Sequence, residues 1–221
     1  MTDNPHEGQP VLASGRKLAE ANGAVILLHG RGASAEDILG LSREFDHPEL
    51  AYLAPQAAGN TWYPYSFLAP IQQNEPWLSS ALNRVSEIVG DIAKAGIPRE
   101  KIVIAGFSQG ACLATEFMAR HAARFGGLVA LSGGLIGPPG TKFAYRGKLD
   151  AMPAFFGAVD PDAHVPWQRV EESARILSGL GADVVLKRYP GMPHAVNQAE
   201  LDEAKSLFYK VFRGAVQQAR Q

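Results

Sequence analysis

The chain has 221 residues, a formal net charge of −1, 46% hydrophobic residues and 19% charged residues. This length suits one α/β domain with a full core, and the near-zero charge argues against electrostatic capture of nucleic acid or of an anionic membrane. Cys112 is the only cysteine, so an internal disulfide is excluded, which is typical of a reducing compartment.

The N-terminal segment, residues 1–8, is polar and lacks the basic and apolar regions of a signal peptide. No apolar run along the chain approaches the length of a membrane span. We therefore expect a cytoplasmic protein without a stable membrane anchor, in which residues 1–221 form a single domain and residues 1–10 are a flexible tail. The oligomeric state stays open, with a homodimer among the expectations.

Apolar runs and amphipathic patterns alternate along the chain. Short apolar runs predict strands over residues 10–14, 24–28, 51–55, 101–105, 128–132, 153–157 and 184–189, the first of them an edge strand. Helical periodicity and capping residues predict helices over 35–45, 75–95, 111–124, 166–180 and 198–217. This alternation predicts an α/β fold with a mostly parallel central sheet, helices on both faces and a ligand site beyond the carboxyl ends of the strands.

A long irregular stretch, residues 56–75, follows the strand over residues 51–55 and is rich in aromatic residues and proline. Loops of this length in compact domains are usually functional or mobile. The aromatic residues form either a hydrophobic cluster beneath the loop or the wall of an apolar substrate pocket, and the two arrangements are compatible. The residues that we assign to this pocket are Trp62, Tyr65, Phe67, Trp167 and Met192.

The pentapeptide from Gly106 to Gly110, with Ser108 at its centre, lies between a predicted strand and a predicted helix. A serine at such a turn is held in strained backbone angles that expose its hydroxyl above the sheet. The flanking glycines leave room where a Cβ would collide with a neighbouring element. The five letters alone are also compatible with a glycine-rich turn, but the strand and helix around them favour a nucleophile.

An acid and a histidine follow later predicted strands. Asp160 and Asp162 come after the strand over residues 153–157, and His194 comes after the strand over residues 184–189. The order serine, aspartate, histidine is that of α/β-hydrolases. His194 would take the proton of Ser108, and one of the two aspartates would orient the imidazole.

Other histidines and the cysteine fit these roles less well. His164 lies beside the proposed acid, on the wrong segment for the base, and His29 fits better as a hydrogen-bonding group within its glycine turn. Cys112 is expected to be a small core residue. His6, His47 and His121 share no spacing with carboxylates or with Cys112, so no metal site is expected.

An oxyanion formed during attack needs preorganised donors. The backbone N–H of Gln109, at the start of a helix, is one candidate. The N–H of Arg31, in the turn after the strand over residues 24–28, is the second. The Arg31 side chain is either solvated or available to an anionic substrate. Gly30, Arg31 and Gly32 lack the third glycine of a dinucleotide loop and the lysine of a phosphate loop.

Six motifs in order give the chain a resemblance to a known family. They are His29-Gly30-Arg31-Gly32, Ala54-Pro55-Gln56-Ala57, Asn60-Thr61-Trp62-Tyr63-Pro64, Gly106-Phe107-Ser108-Gln109-Gly110, Asp162-Ala163-His164-Val165-Pro166 and Tyr189-Pro190-Gly191-Met192-Pro193-His194. Together they resemble the phospholipase/carboxylesterase family, which is similar to the acyl-protein thioesterases within the α/β-hydrolase fold. The resemblance covers residues 11–212.

The resemblance implies a Ser108, Asp162 and His194 triad, because alignment on His164-Val165-Pro166 selects Asp162 over Asp160. It also implies backbone oxyanion donors from Arg31 and Gln109, and no cofactor. The resulting expectation is a serine hydrolase that cleaves small-molecule carboxylic esters through an acyl-enzyme. The alternatives are a thioesterase acting on acyl-protein or acyl-CoA thioesters and, with less support, a non-catalytic binding module of the same fold.

Overall fold

The computed structural model describes residues 4–45 and 47–218, and within these ranges seven strands form one sheet in the order β1-β3-β2-β4-β5-β6-β7. The strands are β1 (Val11–Gly15), β2 (Gly23–Leu28), β3 (Leu50–Pro55), β4 (Ile102–Phe107), β5 (Gly127–Leu131), β6 (Pro153–Asp160) and β7 (Asp183–Pro190). The helices are α1 (Ala35–Leu39), α2 (Leu41–Phe45), α3 (Trp77–Lys94), α4 (Gln109–Arg120), α5 (Trp167–Gly179) and α6 (Gln198–Gln218). Short 3-10 turns occur at Leu18–Glu20, Ala58–Asn60, Ile71–Asn74 and Arg99–Lys101.

The sheet is parallel except for its first strand. β1 pairs antiparallel with β3, and every other neighbouring pair is parallel. All six residues of β2 are buried, and successive side chains enter different core clusters, Val25 on one face and Ile26 on the other. An apolar run without polar alternation therefore reflects a strand that is covered on both faces.

Helices cover both faces of the sheet. α3, α4 and α5 contribute to the core cluster on one face, and α1, α2 and α6 contribute to the cluster on the other. Phe117 of α4 and Phe208 of α6 are examples of buried side chains from the two layers. The predicted α/β-hydrolase architecture, a mostly parallel sheet between two helical layers, is thereby confirmed.

Several predicted boundaries differ from those of the structure. The helix predicted over 35–45 is two short helices on either side of Gly40, where glycine lowers helical propensity. α4 ends at Arg120 rather than near residue 124, because the next residue, His121, has φ −111° and ψ 40°. β6 extends three residues further than predicted, to Asp160, because β7 pairs with it along its whole length.

The expectation of a flexible tail over residues 1–10 is wrong for His6. Its ring is fully buried, with Nε2 donating to the Trp62 carbonyl at 3.0 Å and Nδ1 accepting from the Ala58 N–H at 3.1 Å. Its backbone N–H donates to the Ser80 hydroxyl at 2.9 Å. Residues 1–3 lie outside the described residues.

None of the helices within the described ranges is both long enough and apolar enough to cross a bilayer.

Candidate active site

Ser108 occupies the turn between β4 and α4. Its backbone has φ 54° and ψ −117°, in a region that side-chain-bearing residues rarely adopt. A Cβ added to Gly106 would lie 2.5 Å from the carbonyl group of Gly110, and one added to Gly110 would lie 2.1 Å from the Leu28 carbonyl oxygen. The two glycines therefore allow the turn to pack closely enough against β2 for the Ser108 hydroxyl to face outward.

The imidazole of His194 lies between the serine and an acid. Its Nε2 is 2.9 Å from Ser108 Oγ, and its Nδ1 is 2.6 Å from Asp162 Oδ2. The three residues follow β4, β7 and β6, which are parallel strands, so their carboxyl ends meet at one edge of the sheet. The serine hydroxyl, the imidazole and the carboxylate thus form one continuous hydrogen-bonded chain.

The side chain of Asp162 is fully buried, whereas that of His194 is 20% exposed. Asp162 Oδ1 accepts hydrogen bonds from the N–H groups of His164 at 2.7 Å and Val165 at 3.1 Å. Burial by itself would raise the pKa of this carboxyl, but these two N–H groups and the His194 ring outweigh it, and the pKa lies below its usual range. Asp162 is accordingly a carboxylate at neutral pH.

The other candidate residues have different partners. Asp160 accepts from Arg188 Nε at 2.8 Å, so it is ion-paired on the surface rather than bound to the imidazole. His29 is buried, and both ring nitrogens are engaged, Nδ1 with Gly30 O at 2.8 Å and Nε2 with the Ala57 N–H at 3.1 Å. His164 is exposed, and its ring centroid lies 4.9 Å from that of His194.

The two backbone groups suggested as oxyanion donors belong to segments next to Ser108. Gln109 is the first residue of α4, so its N–H has no partner within the helix. Arg31 belongs to the turn after β2, and a Cβ built on its neighbour Gly30 would lie 3.6 Å from Ser108 Cβ. Among the described residues, the Arg31 N–H donates to no backbone group outside the regular helices and strands.

A cleft of about 680 Å3 opens over Ser108 and His194. Tyr65 and Phe67 line it, as predicted. Further walls come from Tyr63, Phe107 and Val165, which the sequence reasoning missed, although the last two lie next to Ser108 and close to Asp162 in the chain. The lining is therefore partly aromatic and partly polar.

Three of the predicted pocket residues do not line this cleft. Trp62 is fully buried behind it, and its indole N–H donates to the His29 carbonyl at 2.8 Å. The Trp167 ring lies under the Arg188 guanidinium, 5.5 Å from its centroid, and Met192 is 41% exposed on the surface. Aromatic or apolar character near the site indicated these residues, but the direction of each side chain is set by packing that the pattern does not reveal.

No group of three or more His, Cys, Asp or Glu side chains within residues 4–45 and 47–218 converges in a way that could hold a metal ion. Cys112 is buried beneath the cleft, and burial raises the pKa of its thiol to about 12, so the thiol is protonated at neutral pH. The chemistry available at this edge of the sheet is that of an alcohol, an imidazole and a carboxylate.

A mostly parallel sheet with a serine at the strand-to-helix turn, followed in the chain by an acid and a histidine on later strand ends, defines the α/β-hydrolases. A sequence model of the family described as "Phospholipase/Carboxylesterase" matches residues 9–212. The chain belongs to the phospholipase/carboxylesterase family, and it is therefore a hydrolase.

Three relatives illustrate the likeness. The chain is 44% identical to a phospholipase/carboxylesterase from Dyadobacter fermentans, with a TM-score of 0.86 over 90% of this chain and 95% of that one. It is 38% identical to acyl-protein thioesterase 1 of Gibberella zeae over 122 residues, which span 52% of this chain and only half of that protein. It is 25% identical to acyl-protein thioesterase 1 of Cryptococcus neoformans, over 86% of this chain and 92% of that protein.

Proposed function

We propose that this protein hydrolyses small-molecule carboxylic esters through an acyl-enzyme, with Ser108 as nucleophile, His194 as general base and acid, and Asp162 as the group that orients the imidazole. The observation that carries the proposal is the chain of hydrogen bonds from Asp162 through His194 to Ser108, at 2.6 Å and 2.9 Å. Both distances are short enough for proton transfer in the resting geometry.

In the acylation half, Ser108 Oγ attacks the carbonyl carbon of the ester while His194 Nε2 takes the hydroxyl proton. Hydrogen bonds from the N–H groups of Arg31 and Gln109 stabilise the negative charge that develops on the carbonyl oxygen. The tetrahedral intermediate collapses as His194 returns the proton to the leaving alcohol. The acyl group then remains on Ser108 as an ester.

In the deacylation half, a water molecule takes the place of the alcohol. His194 removes its proton as it attacks the acyl carbonyl, and the same two N–H groups stabilise the second tetrahedral intermediate. Collapse releases the carboxylic acid and returns the proton to Ser108. The carboxylate of Asp162, held ionised by its N–H donors, stabilises the imidazolium in both halves.

The test is the hydrolysis of p-nitrophenyl esters by the wild-type protein and by Ser108→Ala. We expect the substitution to lower kcat by about 10⁶-fold, the scale seen when a triad nucleophile is removed. Gln73→Met, at an exposed position away from the cleft, serves as a control with wild-type kcat. Undiminished hydrolysis by Ser108→Ala would refute the assignment, and a wild-type protein that does not turn over any ester would favour a binding module.

A thioesterase is the second candidate, because two of the relatives are named acyl-protein thioesterases. Both reactions use the same nucleophile and the same oxyanion, so the site geometry is compatible with either. A series of oxygen esters and matched thioesters of increasing acyl length separates them. A kcat/KM at least about tenfold higher for the thioesters across the series would assign the protein to the second class.

A cytoplasmic location and a homodimer remain parts of the proposal. The location is supported by a single cysteine that is a buried, free thiol.

The homodimer is supported by β7, which lies at one edge of the sheet with Val185 43% exposed. Size-exclusion chromatography with light-scattering detection measures the mass of the protein in solution. A mass of about one chain at micromolar concentration would contradict the homodimer.

A further inference from the structure

The side chains of the two residues assigned as oxyanion donors, Arg31 and Gln109, contact one stretch of the long aromatic loop. This stretch, Thr61 to Tyr65, is called the wall segment. The Arg31 guanidinium donates three hydrogen bonds to it. Its Nη1 donates to Thr61 Oγ1 at 3.0 Å and to the Pro64 carbonyl at 2.9 Å, and its Nη2 donates to the Tyr65 carbonyl at 2.6 Å. Three of the five N–H groups of this guanidinium therefore hold the loop, while the side chain is exposed and lines the cleft.

The side chain of Gln109 holds the same segment through further contacts. Its side chain is buried, and its Oε1 accepts from the Trp62 N–H at 2.9 Å while its Nε2 donates to the Tyr63 carbonyl at 2.8 Å. Thr61 Oγ1 lies 3.2 Å from the amide and itself donates to the Tyr63 carbonyl at 2.9 Å. Because an N–H faces the oxygen and a carbonyl faces the nitrogen, only one orientation of the amide satisfies both partners.

The wall segment is also part of the cleft. Tyr63, Pro64 and Tyr65 line the space above Ser108. The Arg31 guanidinium carbon lies 5.9 Å from the centroid of the Tyr63 ring, within the range of a cation–π contact. One short stretch of chain thus forms a substrate wall and accepts the side chains of both residues whose N–H groups face the reacting oxygen.

We propose that the side chains of Arg31 and Gln109 are positioning residues, which fix their own backbone N–H groups to the wall segment so that the oxyanion site and the substrate wall form one rigid unit. The proposal rests on the function proposed above, because it requires the oxyanion to form between these two N–H groups. A substrate that packs against the wall segment then has its carbonyl oxygen placed at the distance from the donors that the transition state needs.

The consequence is a division of effects between kcat and KM. Loss of one oxyanion donor costs about 10²- to 10³-fold in kcat, and a displacement of about 1 Å has an effect of similar size. In the ground state the ester contacts the cleft walls, but its carbonyl oxygen does not yet carry the negative charge that the two N–H groups stabilise. Removing an anchoring side chain should therefore lower kcat strongly and change KM little, which is the pattern of an interaction made in the transition state.

The test uses four variants at the two positions. Gln109→Met removes both amide contacts, whereas Gln109→Glu keeps the size and the acceptor for the Trp62 N–H but places an oxygen against the Tyr63 carbonyl. Arg31→Met removes the guanidinium, and Arg31→Lys keeps the charge without the fork that reaches several acceptors. Gln73→Met is the control.

We expect kcat for p-nitrophenyl esters to fall by about 10- to 100-fold in both Gln109 variants and in Arg31→Met, with KM within about threefold of wild type. Arg31→Lys should recover part of the loss. Affinity for a trifluoromethyl ketone, whose hemiketal with Ser108 carries the oxyanion, should fall in parallel with kcat, a change that a purely structural role would not produce. All assays are run well below the melting temperature of each variant.

Wild-type kcat in folded Gln109→Glu and Arg31→Met would overturn the proposal, as would a loss confined to KM or ketone affinity that stays constant. Should Gln109→Met not fold, the isosteric Gln109→Glu decides the question. A wild-type protein without esterase activity, or one whose activity survives Ser108→Ala, would instead remove the proposed function. The two failures are therefore distinguishable.

Discussion

Two aspartates that are two positions apart in the chain have different partners in the structure. Asp162 contacts His194 and receives two backbone N–H bonds, whereas Asp160 faces Arg188. The cause is local, because β6 ends at Asp160 and the chain then turns, so only the second aspartate is directed toward the loop that carries the histidine.

This difference gives a prediction with an internal control. Asp162→Asn should lower kcat for p-nitrophenyl esters by up to about 10⁴-fold, because the amide favours the wrong imidazole tautomer. Asp160→Asn should leave kcat within about twofold, since an exposed ion pair contributes little. Kinetics of the two purified variants check this. If Asp160→Asn is the slow enzyme and Asp162→Asn is not, the acid has been assigned to the wrong residue.

Glu200 is a buried carboxyl close to the histidine loop. Glu200 is fully buried. Its Oε2 accepts hydrogen bonds from the backbone N–H and the side-chain amide of Asn197, and its Oε1 has no hydrogen-bond partner among the described residues. Burial raises its pKa to about 7, against the smaller opposite effect of the Asn197 N–H. The folded protein therefore binds this proton more tightly than the unfolded chain does.

The sign of the resulting pH dependence follows from linkage. The ordinary pKa of 4.5 and the raised pKa of about 7 bound a pH window in which the native state holds more protons than the unfolded state. Within this window the free energy of unfolding falls as the pH rises, and above it the free energy levels off. The total effect is up to about 3 kcal/mol at 1.36 kcal/mol per pKa unit. Glu200→Gln removes the titration and should gain stability relative to wild type between pH 5 and pH 8 in urea titrations. A difference between the two proteins that does not change with pH would contradict the raised pKa.

At the scale of elements, the turn between β4 and α4 depends on two glycines that leave no space for a side chain. Gly110→Ala would place its Cβ 2.1 Å from the Leu28 carbonyl oxygen, a backbone atom that cannot move without shifting β2. We expect a loss of about 3 kcal/mol or more, at the upper end of overpacking effects, together with lower esterase activity, measured by thermal unfolding and by kcat.

A matched glycine serves as the control. Gly90 lies within α3, and a Cβ built on it meets nothing within 4 Å. Gly90→Ala should therefore raise stability by up to about 1 kcal/mol through helix propensity alone. Equal melting temperatures for the two alanine variants would mean that the turn is not packed as described.

The elements were largely readable from the sequence. Apolar runs such as residues 24–28 and the period of α3 depend on local side-chain order, so they predicted the strands, the helices and the carboxyl-end location of the site. The assignment of Trp62 and Trp167 to the pocket was wrong, because the directions of these side chains depend on contacts with distant residues. The contacts of the Arg31 and Gln109 side chains with the wall segment were missed for the same reason, because apart from Thr61 Oγ1 their partners are backbone groups that no sequence pattern marks.

At the scale of the whole molecule, the N-terminal segment joins parts of the fold that are remote in sequence. His6 links the N-terminus to α3 through Ser80 and to the aromatic loop through Ala58 and Trp62. Burial lowers the pKa of its imidazole, so the ring is neutral and can both donate and accept. The residue therefore supports the loop that continues into the wall segment.

Replacement of this buried ring should lower the free energy of unfolding of the domain. His6→Ala leaves the Ala58 N–H and the Trp62 carbonyl without their partner and creates a cavity, so we expect a loss of about 2–4 kcal/mol. Glu7→Ala, at the exposed neighbouring position, should change stability by less than about 0.5 kcal/mol. Urea denaturation midpoints measure both. Coincident midpoints for His6→Ala and the wild type would indicate that residues 4–10 do not pack on the domain in solution.

The location of a covalent fluorophosphonate adduct tests the central claim most directly. After labelling of the wild-type protein, peptide mass spectrometry should find one adduct per chain, on Ser108, and none in the Ser108→Ala variant. Labelling in Asp162→Asn should be slower but should still occur at the same residue, because the nucleophile remains while the orientation of His194 is impaired. An adduct on any other residue, or undiminished labelling of Ser108→Ala, would contradict the proposed mechanism.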